Sequence, residues 1–335
     1  MKVFLIGGTG LLGSACAAEL IKRGHEVRAI ALQPVPDGLP PSMELNIQNY
    51  LTLSDEGLRA YFDGCEGFVF ASGIDERITG PSPIYDFYNK YNLTPLERIL
   101  RIAKECGVKH SVICGSYFSY FDKLWPKMEL SRWHPYIRSR VDQEKMALSF
   151  ADENFSVAIM ELPYIFGTQA GREPVWTIIV KAVRSMKGAT MYPKGGTTMV
   201  TRRQVAQAMA GALDKTKGGQ CWPVGWNNML WTDLLKIVHR NMGMPKRKII
   251  TIPNWLLTLG IKSMEKKIMS EGEGGMYMPK FAEIQSAQTY IDKSLACVPL
   301  GVEDDDIEAA IGESIRLAVD VLDGKVKNVI TMRGE

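Results

Sequence analysis

Three glycines near the N-terminus, Gly7, Gly10 and Gly13, recur at every third position in the run Gly7-Gly8-Thr9-Gly10-Leu11-Leu12-Gly13. The run follows a short apolar segment, Val3-Phe4-Leu5-Ile6. It precedes a stretch with apolar residues at Ala15, Ala18, Leu20 and Ile21. Strand, glycine turn and helix in that order make an anion cradle. Glycine at position 7 lets the chain turn tightly. At position 10 it lets peptide N–H groups approach phosphate oxygens with no Cβ between them. At position 13 it lets the helix pack close to the sheet. The first helical turn carries amides with no acceptor inside the helix, and the helix dipole adds partial positive charge there. The chemistry expected is capture of a diphosphate, as in a dinucleotide.

Such a loop has to be held at the end of a strand inside a sheet. Apolar runs and glycine or proline stops predict strands at 1–7, 26–32, 43–47, 67–71, 108–114 and 157–162, with helices at 14–23, 54–62, 95–106 and 136–150. Alternation of this kind means βαβ units with right-handed crossovers, hence an α/β fold with a doubly wound parallel sheet over residues 1–167. Past residue 167 the rhythm breaks into short segments rich in Pro, Gly and Trp. Residues 168–335 therefore read mainly as a smaller C-terminal substrate lobe, with one or two strands returning to the main sheet.

Bulk properties narrow the function. The chain carries 40 basic and 37 acidic side chains, a net charge of +3, so no nucleic-acid partner is expected. Its six cysteines, Cys16, Cys65, Cys106, Cys114, Cys221 and Cys297, are scattered. They read as small buried hydrophobes in a reducing compartment, with no metal site expected. Glu303-Asp304-Asp305-Asp306 reads as a cap for a following helix rather than a metal site. No apolar run reaches the ~20 residues that span a bilayer, and Val3-Phe4-Leu5-Ile6 is too short for a secretory signal. A soluble, cytoplasmic protein with no membrane partner is expected. The stretch 255–269, with Trp255, Leu256, Leu257 and Leu259 beside Lys262, Lys266 and Lys267, reads as a lid or lobe helix before a membrane-docking one.

Several motifs carry a family likeness. They are the opening Met1–Gly10, the fourth strand with its end Ala71-Ser72-Gly73, the helix asparagine in Asn92-Leu93-Thr94, and the turn Leu162-Pro163-Tyr164-Ile165-Phe166-Gly167. Near the C-terminus, Tyr290-Ile291-Asp292-Lys293-Ser294 and Pro299-Leu300-Gly301 add to it. Together they resemble the extended and atypical branches of the short-chain dehydrogenase/reductase superfamily, which includes NAD-dependent sugar-nucleotide epimerases and dehydratases. The resemblance implies a Rossmann sheet and a nicotinamide dinucleotide, NAD or NADP. Its pyrophosphate would lie on Gly7, Gly8, Thr9, Gly10, Leu11, Leu12 and Gly13. Ala31 and Leu32 would flank the adenosine ribose, and Asn46 and Ile47 the adenine. Ala71, Ser72 and Gly73 would line the ribose and nicotinamide side, with Pro163 and Ile165 beside the nicotinamide. An NAD enzyme usually ends its second strand with a carboxylate for the 2′-hydroxyl. Ala31, Leu32 and Gln33 offer none, and Arg28 lies within the strand, pointing away. Losing that carboxylate removes a repulsion against phosphate and tilts the expectation toward NADP.

Hydride transfer at a carbonyl needs a proton donor or acceptor at the oxygen. The family uses a Tyr, a Lys four residues on, and a Ser or Thr that holds the substrate oxygen. The resemblance places these roles on Tyr136, Arg140 and Ser116. Residues i and i+4 share a helix face, so Arg140 is expected to lower the tyrosine pKa from ~10 and to bond the ribose. Arginine keeps the charge but changes the fork geometry. Tyr120 matches the family's substrate-pocket tyrosine, and His134 reads as a surface loop residue. Asp75, with Glu76 and Arg77, follows the fourth strand at the end where ligands bind. This trio either reaches the substrate or forms a solvated turn. Arg202 and Arg203, at the position of a family aspartate, are candidates for an anionic substrate group or a solvated helix start. Lys194-Gly195-Gly196 is a candidate loop over the pocket. The aromatic runs Tyr85–Tyr88 and Phe118–Trp133 suit either a substrate wall or a packed core.

The sequence thus reads as an NAD(P)-dependent oxidoreductase or epimerase/dehydratase-like enzyme acting on a hydroxyl or carbonyl of a small molecule, sugar nucleotides among the candidates. The alternative is a dinucleotide-binding sensor or regulator with little or no catalysis. The resemblance also implies a homodimer paired through the helices at 92–106 and 136–150.

Overall fold

The computed structural model describes residues 1–259 and 272–331. Seven parallel strands form the main sheet: β1 (Lys2–Ile6), β2 (Glu26–Ala31), β3 (Glu44–Ile47), β4 (Gly67–Phe70), β5 (His110–Cys114), β6 (Ser156–Glu161) and β7 (Gly219–Pro223). Their order is β7-β6-β5-β4-β1-β2-β3. The chain runs outward one way from β1 and the other way from β4, so a crevice opens where these two lie side by side. Alternating side chains feed two cores. Val3 and Leu5 point toward Cys16, Leu20 and Met209, while Phe4 and Ile6 point toward Phe62, Phe68 and Leu100.

Helices α1 (Leu11–Lys22) and α6 (Arg202–Lys215) pack together on the first face. Helices α2 (Asp55–Phe62), α3 (Thr94–Glu105) and α5 (Pro135–Leu148) cover the second. Local signals set their ends. Ser54 caps α2 by accepting from the Gly57 N–H at 3.1 Å, Pro95 opens α3, and Thr201 with Gln204 makes a reciprocal capping box on α6.

The strand returning to the sheet is β7, paired from Gly219 opposite Val157 to Pro223 opposite Glu161. The remaining C-terminal segments build a second layer. In it, 196–201 pairs with 227–230, 164–166 and 288–289, and 189–193 pairs with 248–252. Phe166, Val183, Trp231, Leu235 and Ile311 are among the residues of its core.

Four local expectations change. Lys194-Gly195-Gly196 is a turn pressed against Gln285 and Ala287, with Gly195 at φ +116°, and not a loop over a pocket. Much of the aromatic run is core, because Tyr117–Leu124 forms a helix, α4, that buries Phe118 and Phe121. The helix asparagine sits in a π-helical turn, Asn89–Leu93, ahead of α3. His134 is 1% exposed rather than at the surface. The acidic run does cap a helix: Asp306 accepts from the Ala309 N–H at 2.9 Å. Among the described residues no helix is long and apolar enough to cross a membrane. The expectation for 255–269 falls largely outside the described residues.

His134 ties the two lobes together. Its Nδ1 accepts from the Tyr277 N–H at 3.0 Å. Burial first, then Lys280, pushes its pKa down to about 4 from an unfolded value of 6.5. The fold binds the neutral ring, so the unfolded chain takes up the proton first as the solution is acidified. The ring's contribution is complete above pH 6.5 and is lost on the way down to about pH 4, at most about 3 kcal/mol. Asparagine keeps an acceptor without the titration. Urea unfolding at stepped pH is therefore expected to show a flatter stability curve over this window for His134→Asn than for the parent.

Candidate active site and dinucleotide cradle

The glycine loop lies at the crevice. The Gly7 N–H donates to Ile30 O at 3.0 Å and the Gly10 N–H to Gly7 O at 2.9 Å, which folds the loop back on itself. Helix α1 then starts at Leu11 with no side-chain cap and no acidic residue in its first turn. Three of the glycines are required by the protein's own packing. A Cβ on Gly7, at φ +94°, would collide with Ala71 O, and one on Gly13 with Gly7 O. One on Gly8 would lie 2.6 Å from Ala29 Cβ. Gly10 differs. Its backbone, at φ −73° and ψ 163°, suits any residue, and an added Cβ would approach only Gly7 O, at 3.3 Å. Gly10 is thus the loop glycine at which an added Cβ meets least, and it stands directly before the first amides of α1, those of Leu11, Leu12 and Gly13.

The other expected cofactor residues surround this loop. Thr9 and Ala31 are buried, Leu12 and Asn46 are half-buried, and Leu32 and Ile47 stand exposed at the ends of β2 and β3. Arg28 turns away to Glu44 at 3.0 Å. Ala71 lies against Gly7, Ser72 donates to the Tyr50 hydroxyl at 3.3 Å, and Gly73 lies against Asn92. Pro163 and Ile165 are half-buried beside β6.

A hydrogen-bonded chain leads from the cradle to the tyrosine. Asn92 Oδ1 accepts from the Ile74 N–H at 2.8 Å, and its Nδ2 donates to Ile74 O at 2.9 Å. Arg140 Nη2 donates to the same carbonyl at 3.2 Å and Nη1 to Gln143 Oε1 at 2.8 Å, while Gln143 Nε2 reaches Asn92 O at 3.0 Å. The Arg140 guanidinium lies over the Tyr136 ring, 5.2 Å from its centroid. Arg140 is 8% exposed, and its Nε has no partner. Of the guanidinium it is Nη2 that lies nearest Gly73, 4.0 Å from where a Cβ on that glycine would stand. Gln143 was not anticipated, although it lies three residues beyond Arg140 on the same helix face.

Tyr136 is 5% exposed, packed edge-on to Tyr88 and Phe118. Its N–H donates to Gly275 O at 2.9 Å. The expected lowering of its pKa is overturned. Burial outweighs Arg140, Glu76 adds to the rise, and the phenol stays above its usual range. Asp75 and Glu76, singled out together in the sequence, meet different surroundings. Arg77 holds the Asp75 carboxylate through its side chain and keeps it below the usual range against the effect of burial. Glu76 makes no hydrogen bond to another described side chain. Burial and then Asp75 push it up, partly offset by Arg77 and Arg140. Its charge also raises Tyr88, Tyr117 and Tyr164, in each case after the larger effect of burial. The trio is thus an internally bonded turn, with Asp75 engaged by Arg77.

Ser116 caps α4, accepting from the Phe118 N–H at 3.4 Å, and keeps its own hydroxyl hydrogen. Tyr120 is half-buried on the same helix against Phe121. Arg203 is held by Glu303 and by Asp305 at 3.3 Å, so its fork is engaged away from any substrate. Arg202 bonds Thr168 O. Leu162, in place of the family arginine, is buried in the core. Glu144, Glu161 and Cys221 come within 4.8 Å of one another. The Lys123 ammonium sits in that group, 2.7 Å from Glu144 and 2.9 Å from Glu161, where a metal ion would otherwise be held.

Comparison with known proteins agrees with this geometry. Residues 3–221 match the model of the NAD dependent epimerase/dehydratase family. A Synechocystis sp. protein named "Putative dihydroflavonol 4-reductase" is 24% identical over 93% of this chain and 93% of its own. Among solved structures, a nucleoside-diphosphate-sugar epimerase from Pseudomonas aeruginosa superposes with a TM-score of 0.68 at 16% identity, covering 96% of this chain and 98% of that one. UDP-glucose 4-epimerase from Bifidobacterium longum, in complex with NAD+ and UDP, gives 0.67 at 14% identity, over 98% and 99% of the two chains. The family match runs from within β1 to within β7, so the chain belongs to the NAD dependent epimerase/dehydratase family and is an NAD(P)-dependent enzyme of it.

Proposed function

We propose that the enzyme reduces a carbonyl on a small, hydroxyl-bearing molecule, with NADP as its coenzyme. The observation that carries this reading is the buried Tyr136–Arg140 stack, joined through Ile74 and Asn92 to the chain beside the glycine loop. Bound in the cradle, the reduced dinucleotide supplies a hydride. Tyr136, protonated at neutral pH, donates its phenolic proton to the carbonyl oxygen. Arg140 balances the phenolate that remains until solvent returns the proton, and its Nε orients the ribose. The Ser116 hydroxyl holds the substrate oxygen.

Glu76, which makes no hydrogen bond to another described side chain and whose charge raises Tyr88 and Tyr117, accepts from a substrate hydroxyl. With Arg203 engaged by Glu303 and Asp305, this environment favours an uncharged polyhydroxyl ring, as in the reductase-named relative. A sugar nucleotide is the other candidate, supported by the epimerases of similar fold. Loss of the β2 carboxylate at Ala31 supports NADP. A cytoplasmic setting fits the six free cysteines. A homodimer through α3 and α5, which lie side by side on one sheet face, belongs to the same reading.

Three measurements test it. Tyr136→Phe is expected to lower kcat about 100- to 10,000-fold while NADPH affinity by fluorescence titration stays within about threefold. Unchanged turnover removes the tyrosine from the chemistry, and tight binding by the parent with no turnover on any alcohol, ketone or nucleotide sugar favours the sensor. Gly10→Ala is expected to keep the melting temperature within a few degrees yet weaken dinucleotide binding at least tenfold, about 1.4 kcal/mol. Light scattering is expected to give twice the mass of the 37.4 kDa chain.

A further inference from the structure

We propose that Arg172, assisted by Gln169, binds the 2′-phosphate of the coenzyme's adenosine ribose and thereby selects NADP over NAD. The proposal rests on the dinucleotide reading of the cradle and assigns its phosphate selectivity to the C-terminal half of the chain.

Placement comes first. Gln169 Nε2 and Arg172 Nε both donate to Thr9 O, at 3.0 and 3.1 Å, inside the glycine loop. The same segment lies against the connection that leaves β2. A Cβ on Gly171 would be 3.7 Å from Pro36 Cβ, and one on Gly38 would be 3.8 Å from Ala170 Cβ. Residues 169–172 therefore bridge the glycine loop and the loop after β2. In a sheet of this order, that corner holds the adenosine ribose with its 2′ substituent.

Chemistry follows. Arg172 is half-buried, and no acidic side chain pairs with it among the described residues. Among the described residues Nε is the one side-chain nitrogen with a partner, so both Nη groups are available in the fork geometry that phosphate accepts bidentately. Burial alone acts on its charge and lowers its pKa, with no anion nearby to offset the effect. Gln169 is 6% exposed and its Oε1 accepts from nothing, an open acceptor suited to a ribose hydroxyl. Two other arginines are occupied elsewhere: Arg28 by Glu44, and Arg203 by Glu303 and Asp305. Ala31 and the exposed Leu32 offer no carboxylate to repel the phosphate.

The test is calorimetric titration of the full chain with NADPH and with NADH. The parent is expected to bind NADPH at least tenfold more tightly than NADH. Arg172→Gln is expected to lose at least tenfold for NADPH and less than about threefold for NADH, while Arg172→Lys keeps most of the preference. Equal affinity of the parent for both, a preference for NADH, or an equal loss for both in Arg172→Gln overturns the proposal. The last result would reduce Arg172 to a prop for the Thr9 carbonyl. Failure of the parent to bind either dinucleotide overturns the cradle reading instead. Should Arg172→Gln not fold, the parent itself is titrated with adenosine 2′,5′-bisphosphate and with AMP: tighter binding of the bisphosphate supports the proposal, and equal binding overturns it.

Discussion

Backbone packed against backbone at the head of β1 is the constraint from which the site is built. Gly13 presses on the Gly7 carbonyl, and Gly7 presses on the Ala71 carbonyl, with no room for a side chain at either contact. Such packing leaves the first amides of α1 facing the crevice without an internal acceptor, which is the electrostatic condition for holding a diphosphate. It also fixes where Ala71-Ser72-Gly73 leaves β4. Gly73, at φ +128°, then brings the chain onto Asn92, and Asn92 holds Ile74 by both its N–H and its C=O. The position of Arg140, and of Tyr136 beneath it, follows from that carbonyl.

Arginine at position 140 asks more of its surroundings than an ammonium would. A guanidinium presents five donors in a rigid plane, and burial demands acceptors for them. Gln143 and Ile74 O take two, and the π-helical turn at Asn89–Leu93 places Asn92 where it can brace both. Tyr136 first, then the negative charge of Asp75 and Glu76, holds Arg140 above its ordinary range despite burial. The same charge, together with burial, keeps the Tyr136 proton on. Burial thus outweighs Arg140, which on its own would lower the phenol.

Much of this was legible in the sequence, and the parts that were not share a cause. Strand ends were marked by glycine and proline, and alternation inside strands reported two buried faces, so all six expected strands appear, within about two residues at each end. The loop Gly7–Gly13 was readable because its requirement is local. Roles that depend on distant partners were not. The sequence left Arg203 between an anion site and a solvated helix start, because its partners Glu303 and Asp305 lie a hundred residues away. His134 looked like a surface residue because nothing nearby in sequence announces Tyr277. Asp75 and Glu76 are chemically alike, and only the direction of the Arg77 side chain separates them. The sign of the Tyr136 shift was missed for a related reason, since spacing reveals Arg140 but not the burial that outweighs it.

The C-terminal half touches the N-terminal half at both ends of the dinucleotide axis. At one end Gln169 and Arg172 hold the Thr9 carbonyl. At the other, Gly275 O receives the Tyr136 N–H and the Tyr277 N–H reaches His134. On the Rossmann side, Thr9 and Tyr136 take part through their backbone, so these contacts depend little on which side chains stand there. Chemistry housed in the sheet is thereby separated from selection, which rides on segments attached at fixed points. Under the proposed assignment a substitution in 169–172 acts at the Thr9 end of the glycine loop, whereas the start of α5 at Tyr136 is held by Gly275. Changes near 275–277 act instead on the start of α5 and leave the phosphate corner alone. On the proposed reading, that division would let one sheet of this topology serve different coenzymes and substrates from fixed attachment points.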